Sequence, residues 1–208
     1  MNKLNEIINE VEEYYSTKIK KHGATSEGVG WNGIKSQELR FEQFERLFDK
    51  NDAFSILDYG CGYGAMLQFL NESNDKVDYT GFDVSMAMIE KATDVNVKTS
   101  NGEFISKLDD NRKWDYVVAS GLFNVQLKTN TLDWEAYIRE TIDAFNAISI
   151  KGFGFNILTS YSDLDKMKDY LHYGDPLFYF DYCKKKYARN VSLLHDYGLY
   201  EFTILVKK

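Results

Sequence analysis

The chain has 208 residues and a formal net charge of −7 at neutral pH, enough length to bury one core of the size of a single α/β domain. That charge, with a pI near 5.1, disfavours a large nucleic-acid footprint, which needs a Lys/Arg surface. No apolar run reaches the roughly 18 residues that span a bilayer, and Cys61 and Cys183 form neither a disulfide framework nor a zinc site, so a cytoplasmic protein without metal is expected.

Leu4, Ile7, Ile8, Val11, Tyr14 and Tyr15 recur at helical spacing, so the first twenty residues read as an amphipathic helix laid on the domain or on a partner. An oligomer formed through this helix is one expectation. Residues 21–33 follow, with Gly23, Gly28, Gly30 and Gly33 around His22, Val29 and Trp31, and read as a lid. Ser36 is placed to cap a second helix running through Leu39, Arg40, Phe44 and Leu47. An apolar strand then ends on Asp58, and the chain passes through Gly60, Cys61, Gly62, Tyr63 and Gly64 before a helical pattern opens at Ala65.

Missing side chains in that turn let the backbone approach a ligand closely, and a nucleoside-bearing cofactor is implied. Gly60-x-Gly62-x-x-Ala65, with Asp83 following 23 residues after Gly60, also satisfies a dinucleotide fingerprint. The carboxylate two residues before the first glycine separates the readings. Asp58 would repel a pyrophosphate on the turn, whereas it would attract the ammonium and sulfonium of S-adenosylmethionine.

Asp58-x-Gly60-x-Gly62-x-Gly64 resembles the first motif of the class I S-adenosylmethionine-dependent methyltransferases, and further resemblance follows in order over about residues 50–160. Tyr79-Thr80-Gly81-Phe82-Asp83-Val84-Ser85 is similar to the family's second motif, which implies that Asp83 accepts hydrogen bonds from the ribose hydroxyls, with Val84 and Met88 nearby. Ser100-Asn101-Gly102-Glu103-Phe104 stands where the family has Gly-Asp, so the resemblance gives the adenine contact to Glu103, flanked by Gly102 and Phe104. Trp114 to Gly121 resembles the fourth strand and the segment facing the methyl group, which implicates Ser120. Arg40 is a candidate for the methionyl carboxylate, since a guanidinium grips a carboxylate with two hydrogen bonds. The implied fold is α/β and Rossmann-like, a mostly parallel seven-stranded sheet with an antiparallel last strand and helices on both faces.

Strands near 77–83, 95–99, 115–119 and 152–159 alternate with helical patterns near 64–73, 85–93 and 133–149, which predicts a parallel sheet covered on both sides. Ser162 is placed to cap one further helix, and Asp175 with Pro176, the chain's one proline, opens another. Lys184-Lys185-Lys186 reads as a solvated helix face. Val191–Tyr197 and Leu199–Val206, around Tyr197-Gly198, read as an antiparallel hairpin that a dinucleotide fold lacks. One methyltransferase domain over 1–208 is expected: N-terminal helices and lid to residue 50, a cofactor core over 51–160, and acceptor-side helices with the hairpin over 161–208.

Methyl transfer from a sulfonium needs chiefly a positioned acceptor and excluded water, and a general base only where the acceptor must lose a proton. His195, beside the hairpin turn, and His22, in the lid, are the candidates for that base. Tyr161, Tyr170, Tyr173, Phe178, Tyr179, Phe180 and Tyr182 read either as the roof of an acceptor pocket or as helix–sheet core. Where amino-methylating enzymes of adenine and glutamine carry Asn-Pro-Pro-Tyr, this chain has Ser120-Gly121-Leu122-Phe123, so an oxygen or nitrogen acceptor on a small molecule, a sugar-like one among the options, is expected in place of DNA. The chain also resembles small bacterial methyltransferases of unassigned acceptor over nearly its whole length. A non-catalytic S-adenosylmethionine-binding module and a nicotinamide-dependent oxidoreductase remain as alternatives.

Overall fold

Apolar neighbours such as Ile56-Leu57 and Val117-Val118 point to opposite faces of a strand, so each of these strands demands cover on both sides. The computed structural model, which describes residues 3–29, 33–49, 51–73, 76–99, 101–109 and 111–208, shows how that demand is met. Helices α1 (Lys3–His22) and α2 (Ile34–Glu45) precede β1 (Phe54–Tyr59), α3 (Ala65–Ser73), β2 (Val77–Phe82), α4 (Met86–Val95) and β3 (Gly102–Ile105). Then come β4 (Trp114–Ala119), α5 (Thr131–Ile148), β5 (Ser149–Leu158), α6 (Pro176–Lys186), β6 (Asn190–Leu194) and β7 (Glu201–Lys207). The strands form one sheet in the order β3-β2-β1-β4-β5-β7-β6. β7 runs antiparallel between β5 and β6, and the other pairings are parallel.

One face carries Leu57, Val117, Phe153, Phe155 and Ile204 against Trp134, Ile138, Ile142 and Phe145 of α5 and Tyr179 and Cys183 of α6. The other carries Ile56, Tyr79, Tyr116 and Val118 against Phe41 and Phe44 of α2 and Met66, Leu67 and Leu70 of α3. Helix starts follow side-chain chemistry. Asn130 accepts from the Asp133 amide, Ser85 from the Met88 amide, and Asp175 from the Leu177 and Phe178 amides with Pro176 in the first turn, which satisfies amides that have no intrahelical partner.

Three local expectations are corrected. The strand near 95–99 is instead the end of α4 and a turn, with Val95 and Val97 exposed; the short β-branched alternation there has no apolar face to bury. The third strand lies at Gly102–Ile105, where Gly102 lets Leu67 pack onto the backbone. Ser36 is not the cap of α2, because Gly33 at φ 127 holds that position and Ser36 sits inside the first turn, accepting from Arg40 through its carbonyl and its hydroxyl. Ser162 caps no helix: its hydroxyl donates to the Thr159 carbonyl at 2.7 Å, and only a 3-10 turn, Leu164–Lys166, follows. The hairpin forms, with a link over residues 195–200 in which Gly198 takes φ 73.

A buried ion pair pins α2 to the far half of the sheet. Arg40 Nε donates to Glu201 Oε2 at 2.6 Å, and Asn124 Nδ2 donates to Glu201 Oε1 at 2.9 Å; the two charged side chains are 8% and 0% exposed. Removing one partner leaves an uncompensated buried charge. Arg40→Met should therefore cost about 3–5 kcal/mol of stability in denaturant unfolding, and adding Glu201→Gln should recover most of it.

Candidate active site

Parallel strands of this order present their carboxyl ends on one side, and ligands bind there where the strand order reverses, between β1 and β4. The turn after β1 is built to fit that place. Gly60, Gly62 and Gly64 take φ of 84, 54 and 79, conformations that L side chains rarely adopt. The Gly60 and Cys61 amides donate to the Phe82 carbonyl at 2.7 and 3.0 Å, and the Gly62 amide donates to Asp83 Oδ2 at 3.0 Å. These amides therefore tie the end of β1 to the end of β2. The glycines serve the turn and close approach; a Cβ on Gly62 would lie 2.9 Å from Val29 and one on Gly64 2.7 Å from the Phe104 ring.

A cleft opens beyond the turn, lined by Asp58, Gly60, Cys61, Gly62, Asp83, Val84, Met88 and Ser120 among others. Asp58, 3% exposed, accepts from Tyr79 Oη at 2.7 Å. Burial pushes its carboxyl up to about 7, against the lowering effect of that hydrogen bond and with a further push from Asp83. Asp83 accepts from the Gly62 and Ser85 amides, one on each oxygen, which leaves each oxygen a second lone pair. Burial raises Asp83 to about 6 despite those bonds. Ser120 is held by Asn156, whose Oδ1 accepts from the Gly121 amide at 2.6 Å.

The remaining expected residues lie elsewhere. Tyr63 is buried behind the turn, donating to Gln37 Oε1 at 2.9 Å. Glu103 is the second residue of β3; its carboxylate accepts from Thr80 Oγ1 and pairs with Arg112, outside the cleft lining. Gly102 and Phe104 are likewise outside it, Phe104 packing over Gly64 and Gly81. Arg40, bound to Glu201, lines a neighbouring cavity and not the cleft. His195 is exposed at the far edge of the sheet, near the rings of Tyr161 and Phe202, and His22 is exposed at the end of α1. Neither histidine lines the cleft or the neighbouring cavity. Of the expected lid, Gly30, Trp31 and Asn32 lie outside the described residues, while Val29 lines both spaces.

Sequence reading missed the cleft's roof. Ile8, Val11, Glu12 and Tyr15 of α1 line it, and α1 is fixed over α4 by a 2.7 Å hydrogen bond between the Ser16 and Ser85 hydroxyls. The signal was the apolar stripe of α1, which faces its own chain. Beside the cleft lies a cavity of about 590 Å³ sharing Tyr15, Val29 and Gly121 with it. Tyr170 and Tyr173 line that cavity, whereas Tyr179 is core and Phe178 stacks on Tyr182 along α6. Among the described residues no cluster of metal-ligating side chains occurs and no helix is long and apolar enough to cross a membrane.

A profile described as "Methyltransferase domain" matches residues 33–178. A Mycobacterium tuberculosis protein, named only as a methyltransferase, is 52% identical over 163 residues, covering 78% of this chain and 98% of that one. Among solved structures, DhpI crystallised with SAM superposes with a TM-score of 0.65 at 16% identity, over 97% of this chain and 98% of that one. Magnesium protoporphyrin IX methyltransferase from Synechocystis with bound SAM gives 0.55 at 12% identity, over 100% and 85%; likeness at such identities is likeness of fold. The chain belongs to the methyltransferase domain family. It is an S-adenosylmethionine-dependent methyltransferase of the Rossmann-like fold.

The two raised carboxyls carry a sign that can be checked. Between the unfolded value of 3.8 and the folded values of about 7 and about 6, the folded protein holds protons that the unfolded chain has released. Their contribution is therefore full below pH 3.8 and is lost as pH rises through about 6 to 7. Melting temperature of the ligand-free protein should fall from pH 5 to pH 7.5 by these groups, and Asp58→Asn should flatten that fall; a wild-type slope in the variant would show that Asp58 ionises normally.

Proposed function

We propose that the protein methylates a hydroxyl or amine of a small molecule held in the cavity beside the cleft. The supporting observation is the junction of the two spaces at Tyr15, Val29 and Gly121, beside the strand-end carboxylates. The cleft residues fit S-adenosylmethionine. A turn whose close approach only glycine permits lies beside a carboxylate, Asp83, with spare acceptor capacity for a diol, and beside a second one, Asp58, for a cation. Bound there, the cofactor supplies an electrophilic methyl group on a sulfonium.

The chain's own residues then bind, orient and exclude water. Asp83, preset by two backbone amides, serves the ribose hydroxyls. Asp58, buried and partly protonated near neutral pH, is returned to its ionised form by a cation placed beside it. Ile8, Val11 and Tyr15 close the cleft from above, and Val29 closes it from the side, which keeps water from the donor. Tyr15 is held protonated, because burial drives its phenol well above the ordinary range; it therefore orients an acceptor as a hydrogen-bonding group and does not act as a base. With neither His22 nor His195 at the junction, catalysis rests on positioning, and an acceptor proton passes to solvent or to a group of the acceptor itself. A non-catalytic binding module has no observation of its own in its favour.

Asp83→Ala should weaken S-adenosylhomocysteine binding by about 10- to 100-fold in calorimetry, the loss expected for a charged hydrogen-bonding partner. Asp58→Asn should weaken it too, and should reduce the drop in wild-type affinity as pH falls through about 7, leaving the part that Asp83 contributes near pH 6. Affinities within error of wild type in both variants would place the cofactor elsewhere. Tyr15→Phe should lower turnover with an identified acceptor more than it weakens S-adenosylhomocysteine binding.

A further inference from the structure

The cavity beside the cleft has a charge of its own. Its lining includes Lys18, Arg40, Lys166 and Lys168 and no Asp or Glu, in a chain whose net charge is −7. Two of these cations are already matched inside the protein: Arg40 pairs with Glu201, and Lys166 with Asp165 at 2.9 Å. Lys18 and Lys168 are not matched, having no carboxylate within ion-pair distance among the described residues. Their ammonium groups stand over aromatic faces instead, Lys18 Nζ at 4.9 Å from the centre of the Tyr14 ring and Lys168 Nζ at 5.9 Å from that of Tyr170.

Both lysines line the cavity, Lys18 half-buried and Lys168 exposed, and Tyr14, Tyr15, Tyr170, Tyr173 and Tyr200 belong to the same lining. A solvated lysine on a helix face needs no partner. A half-buried one over a tyrosine face, in a cavity also lined by Leu158, Leu171 and Leu199 and without a carboxylate, can pair with an anion that the ligand brings. An amine or other cationic acceptor meets repulsion in the same place.

We propose that the methyl acceptor carries an oxyanion, a carboxylate or phosphate group, that anchors it to Lys18 and Lys168 while its ring or apolar body lies against the tyrosines. The proposal rests on the reading of this cavity as the acceptor site, and it adds the chemical class. An oxyanion at the lysines sets the acceptor's distance from the junction at Tyr15 and Gly121, so the anchoring group and the methylated atom are separate parts of one molecule. Lysine suits this role because its ammonium is a compact point charge that accepts either oxyanion, without the planar two-point demand of a guanidinium.

The test uses three probes of similar size, 4-hydroxybenzoate, phenyl phosphate and the neutral 4-hydroxybenzamide, titrated by calorimetry into the full chain with and without S-adenosylhomocysteine. At least one anion should bind about tenfold more tightly than the amide, and which one does so distinguishes carboxylate from phosphate. In Lys18→Gln/Lys168→Gln that preference should fall to about twofold or less, with melting temperature and S-adenosylhomocysteine affinity as in wild type, since neither lysine lines the cleft. Equal binding of the three probes, binding of none, or a preference that survives in the double variant would overturn the proposal. Failure of S-adenosylhomocysteine to bind would overturn the methyl-transfer reading instead, and the preference measured without it would still decide the charge of the cavity.

Discussion

The architecture of the cleft depends on two carboxyl groups held out of water at the ends of adjacent strands. Asp58 closes β1 and Asp83 follows β2, and each is placed by the register that sets Asp58 opposite Gly81 and Tyr59 opposite Phe82. Burial is unfavourable for the ionised form of each and is the main reason both are raised, with a further push on Asp58 from Asp83 and on Asp83 from Glu12. The fold tolerates them because each has donors: Tyr79 Oη for Asp58, and the Gly62 and Ser85 amides for Asp83. Those same amides belong to the glycine turn and to the cap region of α4, so satisfying Asp83 also shapes the backbone around it.

From that constraint the roof follows. Ser85, whose hydroxyl caps α4, also meets Ser16 of α1, and Ser16 donates in turn to Glu12 Oε1 at 2.6 Å. A single chain of short polar contacts therefore runs from the carboxylate at the end of β2 to the helix above it. Beside this relay, Ile7 of α1 is buried in the core cluster that holds α5, with Val11 packed against it, and Ile19 packs with Met88 and Tyr63 in a small cluster of its own.

What was legible in the sequence was local. The strand–turn–helix over 54–73 and the placement of Asp58, Gly60, Gly62 and Asp83 depend on neighbours within about thirty positions, and the parallel order follows from alternating elements. Glu103 falls inside a strand because β3 runs over Gly102–Ile105, after the β-branched stretch at 95–99 that reads as a strand in sequence. The ion pair of Arg40 was not legible locally, because its partner Glu201 lies 161 residues away. The cavity beside the cleft was least readable. Its walls come from α1, α2, the loop after β4, the 158–173 segment and the link before β7, and no window of sequence contains them together.

The two spaces that meet at Tyr15 have opposite lining charge, acidic through Glu12, Asp58 and Asp83 on one side and basic through Lys18, Lys166 and Lys168 on the other. Such a partition sorts ligands before any fine fit. A cation is drawn toward the carboxylates and away from the lysines, and an anion the reverse, so two reactants of opposite charge are steered to different sides of one junction. The basic side matters beyond affinity, because opposite charges in water associate without orientation, whereas fixed groups on separate walls hold them in a defined relation. α1 makes the partition possible. It presents Glu12 to the cleft and Lys18 to the cavity, six residues apart on one helix, so the same rigid element that excludes water also carries the change of sign across the junction.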